Sequence, residues 1–576
     1  MSSIMDSLGS SAPEERLSSV TNPKASPRWL ISLAGAVLLL LGSLLSWCFV
    51  KGILGDVSYS FAPGALQVFT IILAVVALFF LVLRADRLKA IDELLDSARA
   101  LRALGLTATA FMVLVIVFII TQAPGLANAD PGVFIALLGG ALIAGGAWNM
   151  PSDPRVDPVS VRLPGWVEIL VIAILLTIVL FLAAYALSQE DGTVFCLMLL
   201  FVGGLALALT RAGLFAWIGV ITARHRRVIT LGAFAVAFLF PFTQNGSDAN
   251  MSIATQVIIF ATTALGLNIV VGLAGLLDLG YIAFLGAGAY VGAMMSHSTF
   301  ATIGWKPPFL IVMLCGALVS ATLGLIIGSP TLRVSGDYLA IVTLAFGEIF
   351  RLAMGNLDGN NGPYLTRGPN GIPAIPELEI AGFNFGDTHV IAGVPINRFG
   401  NYYFLLLVVA AFIITVFSRL NNSRIGRGWV AIREDEKAAE AMGVNVFGLK
   451  LFAFAGGAFL AGLAGTIKAH QDVSVTPDQY VFLESAFLLA AIVLGGMGTV
   501  AGVLIGATIL KLLPEKLRFV SDYRLLIFGL LLVIIMRYRP EGLVASQRRA
   551  LEFHEDDTDL AEEIEHAHLA TKEEPA

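Results

Sequence analysis

The sequence predicts an all-α protein that crosses a membrane many times. Of its 576 residues, 57% are hydrophobic and 14% are charged, whereas soluble domains carry about 25% charged residues. The apolar residues form continuous runs, such as 30–50 and 166–187, which are long enough to cross a hydrocarbon core of about 30 Å as helices. These runs do not alternate between apolar and polar residues, so helices are favoured over barrel strands. We therefore expect a polytopic transmembrane helical bundle.

The apolar runs also give the order of the spans. The polar segment 1–28 precedes the first run, which is too long for a signal-peptide core and has no small-residue cleavage site. The run 482–513 is interrupted by Gly495-Gly496-Met497-Gly498, and we expect it to cross twice or to enter and return. Spans are predicted at 29–50, 64–83, 104–121, 132–149, 165–187, 193–221, 228–243, 251–274, 280–296, 308–328, 338–355, 402–418, 450–470 and 523–537.

The distribution of Lys and Arg orients these spans. The loops 84–103, 222–227 and 419–449 are rich in Lys and Arg, whereas the loops 122–131 and 188–192 contain none. Cytoplasmic loops carry an excess of these residues. The pattern predicts a multi-pass protein of the cell inner (plasma) membrane with cytoplasmic N- and C-termini, although it leaves Lys511, Lys516 and Arg518 on the outer side, against the rule.

Composition divides the chain into four parts. A cytosolic tail, 1–28, is followed by an N-terminal extension of about seven transmembrane helices, 29–243, that has few motifs. The segment 250–546 is rich in glycine, and the quartet Gly-Leu-Ala-Gly occurs in it at 272–275 and again at 462–465, as an internal repeat or as crossing points of helices. The tail 551–576 has ten acidic residues and one Lys, and we expect it to be disordered.

The Gly-rich stretch 268–290 is the candidate substrate pathway. Its five glycines permit either close helix packing or local unwinding, which exposes backbone groups and helix N-termini to an anionic ligand. Asp278 in this stretch is either a functional acid or a solvated group near the inner interface. The pathway residues that we select are Asn268, Gly272, Gly275, Gly280, Tyr281, Phe284, Gly288 and Tyr290.

The charged cytoplasmic segment 419–449 is the candidate docking element. From Trp429 to Met442, the apolar residues Trp429, Ile432, Ala439 and Met442 recur at helical spacing, which predicts one short amphipathic helix that ends at Gly443. Such a face suits a cytosolic partner. The residues that we select are Arg427, Arg433, Glu434, Asp435, Lys437, Ala438, Ala439 and Gly443.

Two features on the opposite side complete the set. Glu348 and Arg351 are three residues apart on a predicted helix, so we expect a structural ion pair more than a substrate contact. The loop 356–401 is the longest predicted external segment and is a candidate docking surface for an extracytoplasmic partner. The three cysteines and seven histidines show no spacing for a metal site or a catalytic cluster, and we expect no metal.

Several segments occur in an order that resembles the LivM-type permease of branched-chain amino acid ATP-binding cassette (ABC) importers. They are GLNIVVGLAGLLDLGYIAFLGAGAY, SGDYLAIVTLAFGEI, GPNGI, GRGWVAIREDEKAAEAMG, ESAFLLAAIVLGGMGTVAGVLIGA and RPEGL, within residues 250–545. Lys437-Ala438-Ala439-x-x-x-Gly443 is similar to the Glu-Ala-Ala-x-x-x-Gly loop that inserts into the ATPase, with Lys in place of Glu. The first seven spans depart from the family pattern, whose N-terminal part is shorter.

The resemblance implies the ABC importer permease fold with extra N-terminal helices. It also implies alternating access driven by two cytosolic ATP-binding subunits, with a second homologous permease and an extracytoplasmic binding protein that delivers Leu, Ile or Val. The sequence contains no Gly-x-x-x-x-Gly-Lys-Ser/Thr phosphate loop. We therefore expect a transport subunit that is not an enzyme and binds no cofactor, with ATP used by its partners.

Alternatives remain open at this stage. Urea, short amides and other amino acids also suit a Gly-rich, mostly apolar path. A secondary transporter driven by an ion gradient would need acidic or His residues at mid-membrane, and the nearest examples, Glu484 and Lys468, lie near span ends. A membrane enzyme would need a cluster of His, Asp or Glu at one interface.

Overall fold

A computed structural model confirms the predicted fold class. It describes residues 27–48, 65–84, 95–122, 125–148, 150–151, 164–189, 191–331, 337–360, 362–391, 393–516, 523–538 and 541–544. Within these ranges, twelve helices are long and apolar enough to cross a membrane. Residues 1–26 of the N-terminal tail, the acidic tail 551–576 and Arg518 lie outside the described residues.

The chain divides into two compact units, Met1–Ala237 and Phe238–Ala576. The helices of the first unit, with the one that crosses the boundary, are α1 (Pro27–Leu44), α2 (Ala65–Val82), α3 (Ser97–Gln122), α4 (Pro131–Trp148), α5 (Gly165–Ser188), α6 (Gly192–Ala212), α7 (Leu214–Arg224) and α8 (Arg226–Thr243).

One predicted span of the first unit is wrong, because 193–221 is not a single helix. Helix α6 ends at Gly213, whose φ of +93° gives a left-handed cap, and the short helix α7 follows. A glycine suits that backbone conformation, since an L side chain would be strained there. The end of α7 is held by Glu168 of α5, which accepts a hydrogen bond from Arg224 at 2.9 Å and pairs with His225 at 2.8 Å.

The second unit contains the Gly-rich sequence. Four short strands form two antiparallel hairpins, β1 (Glu379–Ile380) with β2 (Phe383–Asn384) and β3 (His389–Ile391) with β4 (Val394–Ile396), inside the predicted external loop. Its helices are α9 (Asp248–Asn268), α10 (Ile282–Met294), α11 (Phe309–Thr331), α12 (Asp337–Asn356), α13 (Arg398–Asn421), α14 (Arg424–Glu434), α15 (Glu436–Ala441), α16 (Val446–Asp472), α17 (Phe482–Gly495), α18 (Val500–Lys516) and α19 (Arg524–Tyr538).

Helix α16 is the centre of the second unit. Helices α9, α10, α11 and α13 all pack against it, and its 27 residues extend about 40 Å at 1.5 Å per residue. At the N-terminal end of α16, Trp429 donates a hydrogen bond to the carbonyl of Leu449. Beyond the C-terminal end of α16, Val475 pairs with Ile372 of the predicted external loop. The fold therefore holds the charged segment and the external loop at opposite ends of α16.

Candidate functional site

The first interruption lies in the predicted pathway. After Asn268 the helix widens into a π-helical turn, Ile269–Leu273, and the backbone is not helical again until Ile282. Helix α10 has 13 residues, about 20 Å at 1.5 Å per residue, so by itself it is too short for a ~30 Å core. The predicted full span 280–296 is therefore wrong, and a half-helix takes its place. Local unwinding was one of the two alternatives for this stretch.

The second interruption lies between α17 and α18, where the glycine-rich sequence predicted a break. Gly496 and Gly498 have φ values of +122° and +78°. Asn268, at the end of α9, joins this interruption to the first one. Its Oδ1 atom accepts a hydrogen bond from the Gly498 amide at 2.9 Å, and its Nδ2 atom donates to the carbonyl of Thr499 at 3.4 Å. Because Asn268 is fully buried, this amide has no competing bonds to bulk water.

Asp278 stabilises the irregular stretch from inside. It is 1% exposed, so the interpretation as a solvated acid is wrong. Its carboxylate accepts a hydrogen bond from the Gly280 amide at 2.9 Å, and the neighbouring Leu279 amide donates to Thr343 Oγ1 at 3.0 Å. These side-chain acceptors replace helical hydrogen bonds that the interruption removes.

The predicted pathway residues fall into two groups. Gly280 and Gly288 meet neighbouring backbone so closely that an added Cβ would lie 1.9 Å from the Thr343 carbonyl oxygen and 2.3 Å from that of Gly462. Gly272, Gly275 and Gly280 lie in the interruption, whereas Gly288 lies inside α10. The aromatic members are Tyr281, Phe284 and Tyr290, and all are buried. Close packing and unwinding therefore both occur, and they coincide at Gly280. Contact of these residues with substrate stays a prediction.

The charged segment differs from the single helix that was predicted. Helix α14 ends at Glu434 and α15 begins at Glu436, because Asp435 is extended and its side chain accepts a hydrogen bond from the Ala438 amide at 2.9 Å. This is an N-cap, which starts a new helix. Gly443 has a φ of +84° and ends the segment as predicted.

The new helix start changes which residues of this segment are covered. The spacing predicted one apolar face for a cytosolic partner, but Trp429, Ile432 and Ala439 are buried within this chain. Met442 is 84% exposed, because the turn at Asp435 ends the single apolar face. The exposed residues of the segment include Arg427, Glu434, Asp435, Lys437, Ala438 and Met442.

Arg433 connects this segment to the first interruption. Its Nη1 atom donates a hydrogen bond to the carbonyl of Gly272 at 2.9 Å, at the end of a helix where carbonyl groups lack helical partners. The chain at Gly275 also lies against the Arg433 side chain, since an added Cβ would be 2.5 Å from its Cγ atom. Residues 272 and 433 are far apart in the sequence, so spacing gives no signal for this contact.

Glu348 and Arg351 form the predicted ion pair, with 2.5 Å between Nη2 and Oε1. Arg351 also lies 3.2 Å from a carboxylate oxygen of Asp478, in the turn between α16 and α17. The pair therefore joins α12 to that turn, and its structural role stays a prediction.

Comparison with known proteins matches residues 249–536 to a family described as the permease component of branched-chain amino acid transport systems. The chain is 38% identical over 338 residues to the high-affinity branched-chain amino acid transport system permease protein LivM of Salmonella typhimurium, covering 57% of this chain and 76% of the relative. The LivM protein of Escherichia coli K12 has the same identity and coverage.

A second type of permease is also similar. The high-affinity branched-chain amino acid transport system permease protein LivH of Escherichia coli K12 is 24% identical over 294 residues, covering 50% of this chain and 91% of that protein. No solved structure was found to match. The family match and the LivM relatives show that this chain belongs to the family of permease components of branched-chain amino acid transport systems.

Proposed function

We propose that this chain moves Leu, Ile and Val inward across the membrane as one permease subunit of an ATP-driven importer. Family membership and the names of the LivM relatives support this substrate class. The hydrogen bond from Arg433 to the Gly272 carbonyl supports the mechanism. It joins a segment with an exposed polar surface to the interrupted helix in the membrane.

The hydrogen bond suggests how force reaches the pathway. A cytosolic subunit that binds α15 and moves it also moves α14, because Asp435 alone separates the two helices. Arg433 at the end of α14 then pulls on the irregular backbone after Gly272. Asn268 carries the displacement to the second interruption through Gly498. Irregular backbone in a membrane is tolerated where it is buried in protein or lines a path, so both interruptions are suited to opening and closing one.

The proposed complex has two ATP-binding subunits. One of them contacts the exposed side of α15 in this chain. Met442, which follows α15 and has 84% of its surface exposed, offers an apolar anchor, and the exposed Lys437 offers a charge. In this proposal the N- and C-termini are cytoplasmic, and ATP is bound by those subunits and not by this chain. The two permease types of Escherichia coli that are similar to this chain support a second, homologous permease as partner. An extracytoplasmic binding protein delivers the substrate to the side of residues 357–397.

Reconstitution of the complete complex tests the function. Proteoliposomes with labelled leucine outside, the binding protein outside and ATP at the cytosolic face are expected to accumulate leucine, with valine and isoleucine as competitors. Urea and acetamide are expected not to compete. Uptake that depends on an ion gradient and not on ATP would contradict the proposal, and so would ATP-driven uptake of urea in place of leucine.

A further inference from the structure

A cavity of about 240 Å³ lies at the end of α16 opposite the charged segment. Four charged side chains, two of each sign, contribute to its wall: Lys468, Asp472, Glu484 and Lys511. Pockets for drug-sized ligands usually have about 300–1,000 Å³, so this volume suits a small metabolite. Lys468, Asp472 and Glu484 lie near helix ends, and Lys511 of another helix meets them at the same cavity, so the four charges together are a candidate functional site.

The four charges form two ion pairs that a ligand can enter. Glu484 and Lys511 lie 2.9 Å apart, and Lys468 pairs with Asp472 one helical turn away. The four side chains keep between 22% and 32% of their surface exposed. Because partly exposed ion pairs contribute little stability, each group can leave its partner and bind a ligand group that carries that partner's charge. Lys511 also lies 4.6 Å from the ring centre of Phe260, so its ammonium group stays at the cavity without Glu484.

The remaining wall combines amide and aliphatic groups. Gln479 lines the cavity, and its Oε1 atom is buried without a hydrogen-bond partner among the described residues. Ile259, Phe260 and Leu285 add an apolar side. A cavity with charges of both signs and an aliphatic surface is complementary to a small molecule that carries both charges and an aliphatic group.

We propose that this cavity binds the zwitterionic backbone of an α-amino acid. The carboxylate lies against Lys511 and the ammonium group against Glu484, while an aliphatic side chain packs on Ile259 and Leu285. Two positive and two negative groups leave the cavity without net charge, so a zwitterion enters with no unpaired charge. Urea and sugars have no charges to match these four groups. The assignment rests on the proposed function and identifies where the substrate is recognised.

The cavity is joined to the first interruption. Ile282, the first residue of α10, lines it, and the Ile282 amide donates a hydrogen bond to Ser485 Oγ at 3.0 Å. Ser485 follows Glu484 in the chain. Displacement of Glu484 by a bound ammonium group therefore acts directly on the start of the half-helix.

Variants of the reconstituted complex test this assignment. Glu484→Gln and Lys511→Gln are each expected to lower leucine uptake roughly tenfold or more, because a hydrogen bond between charged groups is lost. Glu348→Gln is the matched control, since it removes the same charge from the ion pair with Arg351 outside the cavity, and its leucine uptake is expected to stay near that of the unmodified complex.

The double variant Glu484→Lys with Lys511→Glu separates recognition from structure. It restores an ion pair but reverses the charges, so we expect uptake to stay low. Recovery of uptake would show a structural pair and overturn the assignment, as would normal uptake in both single variants. N-acetyl-leucine and leucine amide, each lacking one charge, are expected to compete poorly, and strong competition by both would also overturn it. Each of these outcomes overturns the cavity assignment alone, because the unmodified complex still carries leucine. An unmodified complex that carries no amino acid would overturn the proposed function as well.

Discussion

The quartet Gly-Leu-Ala-Gly occurs twice in the second unit, with two different structures. At 272–275 it ends a π-helical turn, and Gly275 has a φ of +72°. At 462–465 it lies inside the continuous helix α16. The first copy faces Arg433, which binds the Gly272 carbonyl, while Gly462 of the second packs against α11. Small residues permit both unwinding and close packing, and the surrounding helices decide which occurs.

The largest effect is expected from a large side chain in the second quartet. In Gly462→Leu the new Cβ would lie 2.6 Å from Ser320 Oγ and 2.8 Å from Ala317 Cα. Overpacking of this kind costs about 3 kcal/mol, and we expect a clear loss of thermal stability in detergent. Gly456→Leu on the same helix is the control, because no atom lies within 4 Å of its added Cβ. Equal stability of the two variants would contradict the packing role.

A smaller loss is expected when the two interruptions are separated. Asn268→Ala leaves the Gly498 amide without its 2.9 Å acceptor in a buried place, which costs about 2 kcal/mol. We expect lower thermal stability together with reduced leucine uptake. Asn422→Ala, at an exposed end of α13, is the control. An Asn268→Ala protein as stable as this control would show that the two interruptions are held together by other contacts.

Arg433→Ala is expected to change transport more than stability. It removes a charged hydrogen bond to the first quartet, and we expect leucine uptake to fall about tenfold, or about 1.4 kcal/mol. ATP hydrolysis should continue, because the exposed surface of α15 is unchanged. The control is Arg419→Ala, an exposed position on α13. If uptake and hydrolysis stay coupled as in the unmodified complex, Arg433 does not transmit force.

The smallest effect is expected at the turn of the first quartet. Gly275→Ala places a Cβ on left-handed backbone, which costs about 1 kcal/mol, and pushes it against Arg433. Gly382→Ala has a similar φ of +82° with no atom within 4 Å, so it measures the backbone strain alone. Thermal unfolding measures the loss of stability in each variant. The loss in Gly275→Ala minus the loss in Gly382→Ala gives the cost of the contact with Arg433. A smaller loss in Gly275→Ala than in Gly382→Ala would contradict that contact.

The outcome for individual residues shows how far sequence reasoning reached. Helical spacing predicted that Trp429, Ile432, Ala439 and Met442 form one face for a cytosolic partner. The first three are instead buried within this chain, and the Asp435 cap starts a new helix that leaves Met442 exposed. The pairing of Glu348 with Arg351 was predicted from a spacing of three residues. The partner of Lys511 was not, because Glu484 belongs to another helix.

The sequence by itself determined the membrane class, the approximate order of the spans and the family, since each depends on local composition or on motifs in order. The tertiary structure decided what the first Gly-Leu-Ala-Gly quartet does. Its interruption depends on Asn268 meeting Gly498 and on Arg433 meeting Gly272, contacts between residues more than 150 positions apart. Composition permits such contacts, but only the packing of distant helices brings their atoms within hydrogen-bond distance.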